Sequence, residues 1–327
     1  MDIVFLGVRH WHTRLYLDPV LTMPDMRVVG VSDPDSEAAH ATGAKAKCRH
    51  WTDFREMCAA TRPDFAFVLG RHSDMAEMAR FLIDSRIPFA IEKPAAASSQ
   101  ELVQLADAAR EKGVFASVAF VLRNSPMLTV MREALQGDDE VLYASFQFIG
   151  GLASRYETNG PWMLKRATAV GGGFLNLGIH FVDLYTALVE GRPVTVESAS
   201  MSNALAGLDV EDHGSVVLRC GTGKCVIQSG YAFPAPNGIF DLHYSIRSRR
   251  RYFVARDAQT FEIWDDDRNC DTRNIPTHNV PCYPIYTRDV LDRVRDGRPP
   301  IADLHDGARA LALIEHAYAL SPLPAVT

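Results

Sequence analysis

The sequence predicts an α/β domain with a doubly wound parallel sheet, followed by an α+β domain built on an open, mainly antiparallel sheet. Three observations support this fold class. Apolar runs alternate with helical patterns as far as about residue 120. Short, closely spaced strand-like runs dominate the remainder of the chain. The length of 327 residues suits two domains, which we expect over residues 1–120 and 121–327.

Composition excludes several classes of protein. Hydrophobic residues make up 47% of the chain and charged residues 23%, as in an average soluble globular protein. The net charge of -6 argues against binding to nucleic-acid phosphates. No apolar stretch approaches the roughly 20 residues of a membrane helix, and no basic region precedes the first apolar run, so we expect a cytoplasmic protein without membrane contact. The six cysteines form no Cys-x-x-Cys pair, so no disulfide framework or metal site is expected.

The first half of the chain contains five apolar runs, which predict five strands. Helical patterns between them, at residues 75–83 and 100–110, suit the crossovers of a parallel sheet. The predicted strands lie at residues 2–6, 27–33, 65–70, 89–91 and 114–120.

The turn after the first strand reads Gly7-Val8-Arg9-His10-Trp11-His12. Dinucleotide-binding domains of the Rossmann type carry G-x-G-x-x-G there, so that the backbone can approach the pyrophosphate. Only Gly7 matches, and Arg9 and His12 replace the second and third glycines. Arg9 either obstructs the pyrophosphate or supplies a cation to it.

Asp33 ends the second predicted strand, where an acid accepts hydrogen bonds from a ribose diol. A carboxylate there would repel a 2′-phosphate, so Asp33 favours NAD over NADP as the cofactor. The alternative is an ordinary turn residue before Pro34.

The segment Ile91-Glu92-Lys93-Pro94 ends another predicted strand. Ligands of open α/β sheets bind outside the carboxyl ends of the strands, so Lys93 is placed to face a ligand. The alternative is a surface turn closed by Pro94. We also predict a cis peptide bond between Lys93 and Pro94, because cis proline is uncommon and tends to mark sites.

The second domain begins with a predicted strand at residues 141–148, and Gly171-Gly172-Gly173 then opens a predicted helix over 174–184. At 100° per residue, Asn176, His180 and Asp183 share one face of that helix. This polar face is either a hydrogen-bonded core histidine with its partners, or a histidine acid/base facing a pocket shared with Lys93.

The rest of the chain alternates strand-like runs with turns and then returns to helical patterns. We predict strands at residues 194–200, 213–220, 224–232, 239–247, 250–256 and 259–264, and helices at 286–295 and 306–320.

Taken together, these motifs resemble those of the Gfo/Idh/MocA oxidoreductases. The resemblance rests on Glu92-Lys93-Pro94, the triple glycine and the spacing Asn176-x-x-x-His180-x-x-Asp183. Arg123-Asn124-Ser125-Pro126, Trp162 and Gly297-Arg298-Pro299 extend it over essentially the whole chain. It implies a Rossmann domain, and a second domain whose sheet mediates a homodimer or homotetramer. It also implies hydride transfer between nicotinamide and a sugar or polyol.

The resemblance places Lys93 against the reacting hydroxyl and makes His180 the general acid/base. The chemistry agrees, since a neutral imidazole accepts a hydroxyl proton and an ammonium stabilises the developing alkoxide. Asn176 stands where many members have aspartate, so it can orient the substrate or His180 but cannot take a proton. We expect Asp183 to support the helix or His180. Candidate substrate contacts are Arg123, Trp162 and Lys165.

Both cofactor loops depart from the family pattern. The usual Thr-Pro-Asn-x-x-His segment is replaced by Gly70-Arg71-His72-Ser73-Asp74-Met75. Arg9, His10, His12, Arg71 and His72 either form a cationic rim for the pyrophosphate or are ordinary loop residues. The full set of candidate cofactor residues is Gly7, Arg9, His10, Trp11, His12, Asp33, Gly70, Arg71, His72, Glu92 and Lys93.

The leading hypothesis is an NAD(P)-dependent dehydrogenase of a sugar, inositol or related polyhydroxylated small molecule. One alternative is the reduction of an unsaturated small molecule or a biliverdin-like pigment, which needs an apolar pocket and no His180. The other is a non-catalytic ligand sensor or interaction protein on the same fold, suggested by the altered glycine loop.

Overall fold

A computed structural model describes residues 1–135, 137–189, 191–236 and 238–323. The chain forms two compact units. The N-terminal unit comprises Met1–Ala119, Ala167–Ala169 and Tyr283–Arg309. The C-terminal unit comprises Phe120–Arg166, Val170–Cys282 and the described residues from 310 to 323. The N-terminal unit is therefore built from three separate stretches of sequence.

The sheet of the N-terminal unit has six parallel strands in the order β3-β2-β1-β4-β5-β6. This order reverses between β1 and β4, as in a doubly wound dinucleotide-binding fold, and confirms the predicted fold class. The short strand β3 was not predicted, because its three residues are polar or half-exposed and give no apolar run. The strands are β1 (Asp2–Leu6), β2 (Arg27–Ser32), β3 (Arg49–Trp51), β4 (Phe65–Val68), β5 (Phe89–Ile91) and β6 (Ala116–Val118).

Helices connect these strands, and several begin at a side chain that caps them. Asp35 accepts hydrogen bonds from two backbone N–H groups at the start of α2, and Ser98 accepts one at the start of α5. Gly113 ends α5 in the left-handed conformation that favours glycine. The helices are α1 (Thr13–Leu21), α2 (Ser36–Ala46), α3 (Phe54–Thr61), α4 (Met75–Asp84) and α5 (Ser99–Lys112).

The sheet of the C-terminal unit has eight strands in the order β14-β13-β12-β11-β7-β10-β9-β8. Only the pair β7 and β10 is parallel, so the predicted mainly antiparallel sheet is confirmed. The strands are β7 (Val141–Gly151), β8 (Thr195–Ser202), β9 (His213–Cys220), β10 (Gly223–Phe233), β11 (Asp241–Ser248), β12 (Arg251–Ala255), β13 (Thr260–Asp265) and β14 (Cys270–Asn274).

The predicted helix over residues 174–184 differs from the structure in its first turn. Phe174–Gly178 is a π-helical turn, and the α-helix α9 begins only at Ile179. Single π turns inside helices occur frequently at functional sites. The turn changes the angular spacing before His180, so the assumed 100° per residue does not hold between Asn176 and His180.

Helices α10 and α11 begin earlier than the predicted 286 and 306. The remaining helices are α6 (Pro126–Ala134), α7 (Tyr156–Asn159), α8 (Arg166–Ala169), α9 (Ile179–Leu188), α10 (Cys282–Arg295) and α11 (Leu304–Leu320). Short 3₁₀ turns lie at Val121–Asn124, Ala153–Arg155 and Pro161–Leu164.

Candidate functional site

Gly7 lies where the strand order reverses, at the end of β1. Its φ angle is +72°, a conformation that favours glycine. A Cβ atom added there would come within 2.2 Å of the backbone nitrogen of Gly70, which follows β4. The two predicted cofactor loops therefore touch backbone to backbone, and a side chain at position 7 would separate them.

Asp33 follows β2 and is only 7% exposed. Its Oδ2 accepts a hydrogen bond from the backbone N–H of Arg9 at 2.8 Å, and its Oδ1 accepts one from Asp35 at 2.9 Å. Burial raises the pKa of Asp33, and these two N–H groups partly offset that rise. Each carboxylate oxygen keeps capacity to accept a second hydrogen bond.

Several backbone donors of the loop after Gly7 are used within the loop itself. The N–H of His10 donates to the carbonyl oxygen of Gly7 at 3.2 Å, and that of Thr13 donates to the carbonyl oxygen of His10 at 3.0 Å. The N–H of His12 donates to Nδ1 of His10 at 3.1 Å. These are the donors that a glycine-rich loop offers to a pyrophosphate.

The two arginines of the predicted cationic rim have carboxylate partners within the N-terminal unit. Arg9 pairs with Asp35 at 2.6 Å, and Arg71 pairs with Asp74 at 2.6 Å. Both guanidinium groups remain about half exposed. They can therefore still approach an anion from solvent.

The buried histidines of the predicted rim do not carry a positive charge at neutral pH. Burial lowers the pKa of His10 well below its usual value and lowers that of His72 to about 3. Nδ1 of His72 lies 2.7 Å from the carbonyl oxygen of Ala169, so it carries the proton and donates. Their neutrality favours the alternative that these two residues are ordinary loop residues.

Glu92 is the acceptor of a buried hydrogen-bond network. Its Oε1 accepts from the hydroxyl of Tyr16 at 2.5 Å and from Nδ1 of His12 at 2.8 Å. The hydroxyl of Tyr283 lies 3.1 Å from the same His12 nitrogen. Burial raises the pKa of Glu92, but the charges of His12 and Lys93 and the His12 hydrogen bond outweigh burial, so the pKa lies below its usual value.

This network gave no signal in the sequence. Tyr16 has the spacing of a core residue of α1, and Tyr283 is distant along the chain from both His12 and Glu92. His12 was therefore predicted as a residue of the cofactor loop, without these buried partners.

Lys93 lies two residues beyond β5, at the carboxyl end of the parallel sheet, and is 1% exposed. The peptide bond between Lys93 and Pro94 is cis, as predicted. Lysine is almost never fully buried unless it is paired. The surface-turn alternative for this segment is therefore wrong.

In the C-terminal unit, Asn176, His180 and Asp183 are all nearly fully buried, with His180 2% exposed. Nδ2 of Asn176 donates to the hydroxyl of Tyr156 at 3.1 Å. Asp183 accepts from Nε of Arg123 at 3.0 Å and from its Nη2 at 2.6 Å. Arg123, a predicted substrate contact, thus forms a two-pronged ion pair that anchors α9 to the turn at Val121–Asn124.

The triple glycine before the π turn is held by Glu211, which sequence analysis missed. Oε1 of Glu211 accepts from the backbone N–H groups of Gly172, Phe174 and Leu175 at 2.8, 3.1 and 3.1 Å, and from the hydroxyl of Tyr318 at 2.7 Å. A Cβ on Gly172 would come within 2.0 Å of the carbonyl oxygen of Glu211. Burial raises the pKa of Glu211, and its donors partly offset the rise.

The last two predicted substrate residues are more accessible. Trp162 is half-buried in the 3₁₀ turn Pro161–Leu164, and Lys165 is exposed directly after it. Within the described ranges, His, Cys, Asp and Glu side chains form no group of three able to hold a metal ion. No helix in that part of the chain combines the length and apolar content needed to cross a membrane.

No curated protein matched the chain. Many solved structures share its fold. GenD2 from gentamicin A biosynthesis, in complex with NAD, is 20% identical, with a TM-score of 0.83 over 98% of this chain and 93% of its own. Levoglucosan dehydrogenase, in complex with NADH and levoglucosan, is 16% identical, with a TM-score of 0.84 over 98% of both chains.

The WlbA dehydrogenase from Bordetella pertussis, in complex with NADH and UDP-GlcNAcA, is 19% identical. Its TM-score is 0.83 over 98% of this chain and 94% of its own. Two family descriptions match the sequence itself. Residues 1–120 match the oxidoreductase family with an NAD-binding Rossmann fold, and residues 140–251 match the Gfo/Idh/MocA C-terminal domain. The chain therefore belongs to the Gfo/Idh/MocA family of oxidoreductases.

Proposed function

We propose that this protein is an NAD(P)-dependent oxidoreductase that transfers a hydride between nicotinamide and a hydroxyl or carbonyl group of a sugar, inositol or related polyol. The observation that carries the proposal is the complete burial of Lys93 at the carboxyl end of the parallel sheet, in a chain of this family. The ligands of the structural relatives, levoglucosan and UDP-GlcNAcA, support a sugar-like substrate.

The N-terminal unit fits a dinucleotide at two points. Gly7 and Gly70 allow the two loops at the strand-order reversal to pack backbone against backbone, and both oxygens of Asp33 can accept hydrogen bonds from ribose hydroxyls. The negative charge of Asp33 favours NAD over NADP. When bound, the nicotinamide would accept or deliver the hydride.

The protein's own residues would manage the proton and the charge on oxygen. In the oxidative direction, His180 would accept the hydroxyl proton, and the Lys93 ammonium would stabilise the negative charge that develops on that oxygen. The amide of Asn176 would orient its neighbours without exchanging a proton. Asp183 and Arg123 would fix α9, and Trp162 and Lys165 would contact the substrate.

Alanine variants test these roles. We expect Lys93→Ala and His180→Ala each to lower turnover by about 10²–10⁴-fold, because each removes a group that acts at the reacting oxygen. Turnover is measured as NADH formation across a panel of sugars and inositols. Circular dichroism checks the fold, and Lys45→Ala, which removes an exposed lysine paired with Asp18, serves as the control. Full activity in either variant would exclude its proposed role.

One observation supports a second function, a ligand sensor that does not use nicotinamide. The loop after Gly7 satisfies its own N–H groups at His10, His12 and Thr13, so fewer donors remain for a pyrophosphate.

Calorimetric titration with NADH and NADPH separates the two functions. The oxidoreductase proposal expects NADH binding that weakens by about tenfold or more in Asp33→Ala, since hydrogen bonds to a charged acceptor are lost. If neither cofactor binds the wild-type protein, the sensor function replaces the oxidoreductase proposal.

A further inference from the structure

Arg155 has an unusual environment in the C-terminal unit. Its guanidinium carbon lies 4.8 Å from the ring centre of Tyr156 and 5.0 Å from that of Tyr231. On another side it meets the bare backbone at the end of β7, where a Cβ on Gly150 or Gly151 would come within 3.2 or 3.3 Å of its terminal nitrogens. Two aromatic rings and two glycines thus shape a slot around one cation, which stays partly exposed.

The charge of this guanidinium is not neutralised by the protein. Among the described residues, no carboxylate pairs with Arg155, and its Nε is buried without an acceptor. Within the described ranges, the one hydrogen bond of its side chain runs from Nη2 to the hydroxyl of Tyr156 at 3.0 Å. A partly exposed guanidinium without a carboxylate partner can pair with an anion that enters from solvent.

Tyr231 cannot act as a counter-ion. Burial raises the pKa of Tyr231 well above its usual value, so its phenol stays neutral. Cation–π contact with the two rings orients the guanidinium, and the fork of its two terminal nitrogens keeps N–H groups that no described residue accepts. That fork matches the oxygens of a carboxylate or phosphate.

The slot is directly connected to the residues proposed for catalysis. The hydroxyl of Tyr156 accepts from Arg155 and also from Nδ2 of Asn176, at 3.0 and 3.1 Å. Asn176 lies in the π turn that leads into α9 and His180. A group bound by Arg155 would therefore be linked to Asn176 through a single side chain, that of Tyr156.

We propose that Arg155 binds an anionic group of the sugar substrate, through carboxylate or phosphate oxygens. This inference rests on the proposed function and narrows it from polyols in general to anionic sugars, either sugar acids or nucleotide sugars. Arg155 is then the residue that determines specificity for that charge. It has no part in the hydride or proton transfer.

Calorimetry with matched probes tests the inference independently of turnover. D-glucose, D-glucuronate and UDP-glucose are titrated into the wild-type protein and into Arg155→Gln, Arg155→Lys and Arg256→Gln. Arg256 is an exposed arginine of the same unit, paired with Glu262 at 2.9 Å, and its variant removes an equal charge elsewhere. A melting temperature for each variant separates loss of binding from loss of fold.

We expect wild type and Arg256→Gln to bind at least one anionic probe more tightly than glucose. Arg155→Gln should weaken that binding by about 10- to 100-fold and leave glucose unchanged, with Arg155→Lys intermediate. Tighter binding of glucuronate would indicate that the substrate is a sugar acid. Tighter binding of UDP-glucose would indicate that it is a nucleotide sugar.

The inference is overturned if no anionic probe binds the wild-type protein more tightly than glucose, or if Arg155→Gln retains the anion preference. If Arg155→Gln lowers the melting temperature but leaves the preference for an anionic probe unchanged, the role of Arg155 is in packing. Failure of the oxidoreductase proposal itself would appear differently, as the absence of NADH binding and of NADH formation.

Discussion

His72 shows how burial changes the chemistry of a residue that its sequence position makes a candidate ligand. It is fully buried, donates from Nδ1 to Ala169 and has a pKa of about 3. The folded protein therefore keeps this imidazole neutral at a pH where the unfolded chain, with a pKa near the usual 6.5, binds a proton. The contribution of His72 to the free energy of unfolding is fully present above pH 6.5 and is lost as the pH falls towards 3.

We predict that the free energy of unfolding decreases as the pH is lowered from 6.5. In His72→Asn, the slope of this free energy against pH should be smaller by up to about 1.4 kcal/mol per pH unit, which is the effect of one proton. Asparagine keeps a donor near the position of Nδ1. The measurement is urea denaturation between pH 7 and 5. The exposed His40→Gln variant is the control, and equal slopes in wild type and His72→Asn would contradict the prediction.

At this scale the sequence identified candidate residues but not their electrostatic state. Lys93 and His180 were singled out by motif and spacing, and the structure shows both to be buried. The neutrality of His10 and His72, and the four donors that converge on Glu211, depend on neighbours distant along the chain. Arg155 was missed for the same reason, since nothing local shows that an arginine lacks a carboxylate partner.

The glycine turn before α9 is the element on which the position of Asn176 depends. One oxygen of Glu211 accepts three backbone N–H groups of this turn and the hydroxyl of Tyr318. Removing that acceptor leaves several buried donors unsatisfied, each costing about 1–3 kcal/mol.

We predict that Glu211→Ala lowers the free energy of unfolding by about 3 kcal/mol or more, and that Glu211→Gln lowers it by less than half as much. Glutamine retains an acceptor oxygen and carries no charge that must be buried. Urea denaturation of both variants at neutral pH is the measurement. Equal losses for alanine and glutamine would show that the charge, not the acceptor, holds the turn.

Physical differences between the elements explain which of them were predicted from the sequence and which were missed. Strands with long apolar or alternating runs, such as β9 (His213–Cys220), were predicted from the sequence to the residue. The exposed strands β3 and β14 were missed, because hydrogen bonding to a neighbouring strand defines them and leaves no apolar pattern. The π turn at Phe174–Gly178 was also missed, since a helical periodicity does not reveal one extra residue in a turn.

At the scale of the whole molecule, the open face of the eight-stranded sheet is relevant to the oligomeric state. Residues along β7 alternate between buried and half-exposed, and Tyr143, on a central strand, is 38% exposed. The family resemblance implies association through this sheet. We predict a particle of two or four chains by light scattering, and its dissociation in Tyr143→Arg, which places a charge on that face. A wild-type mass of one chain would exclude the prediction.

The N-terminal unit has a consequence for how the protein is synthesised. Its first 119 residues are completed by Tyr283–Arg309, which supply the Tyr283 hydroxyl beside His12 and the Ala302 carbonyl that accepts from Val118 in β6. A nascent chain that has emerged only as far as residue 120 lacks these partners. Domains generally fold in order as they leave the ribosome. The dinucleotide-binding unit can therefore gain its full set of contacts only after residues 120–282, most of the second unit, have been translated.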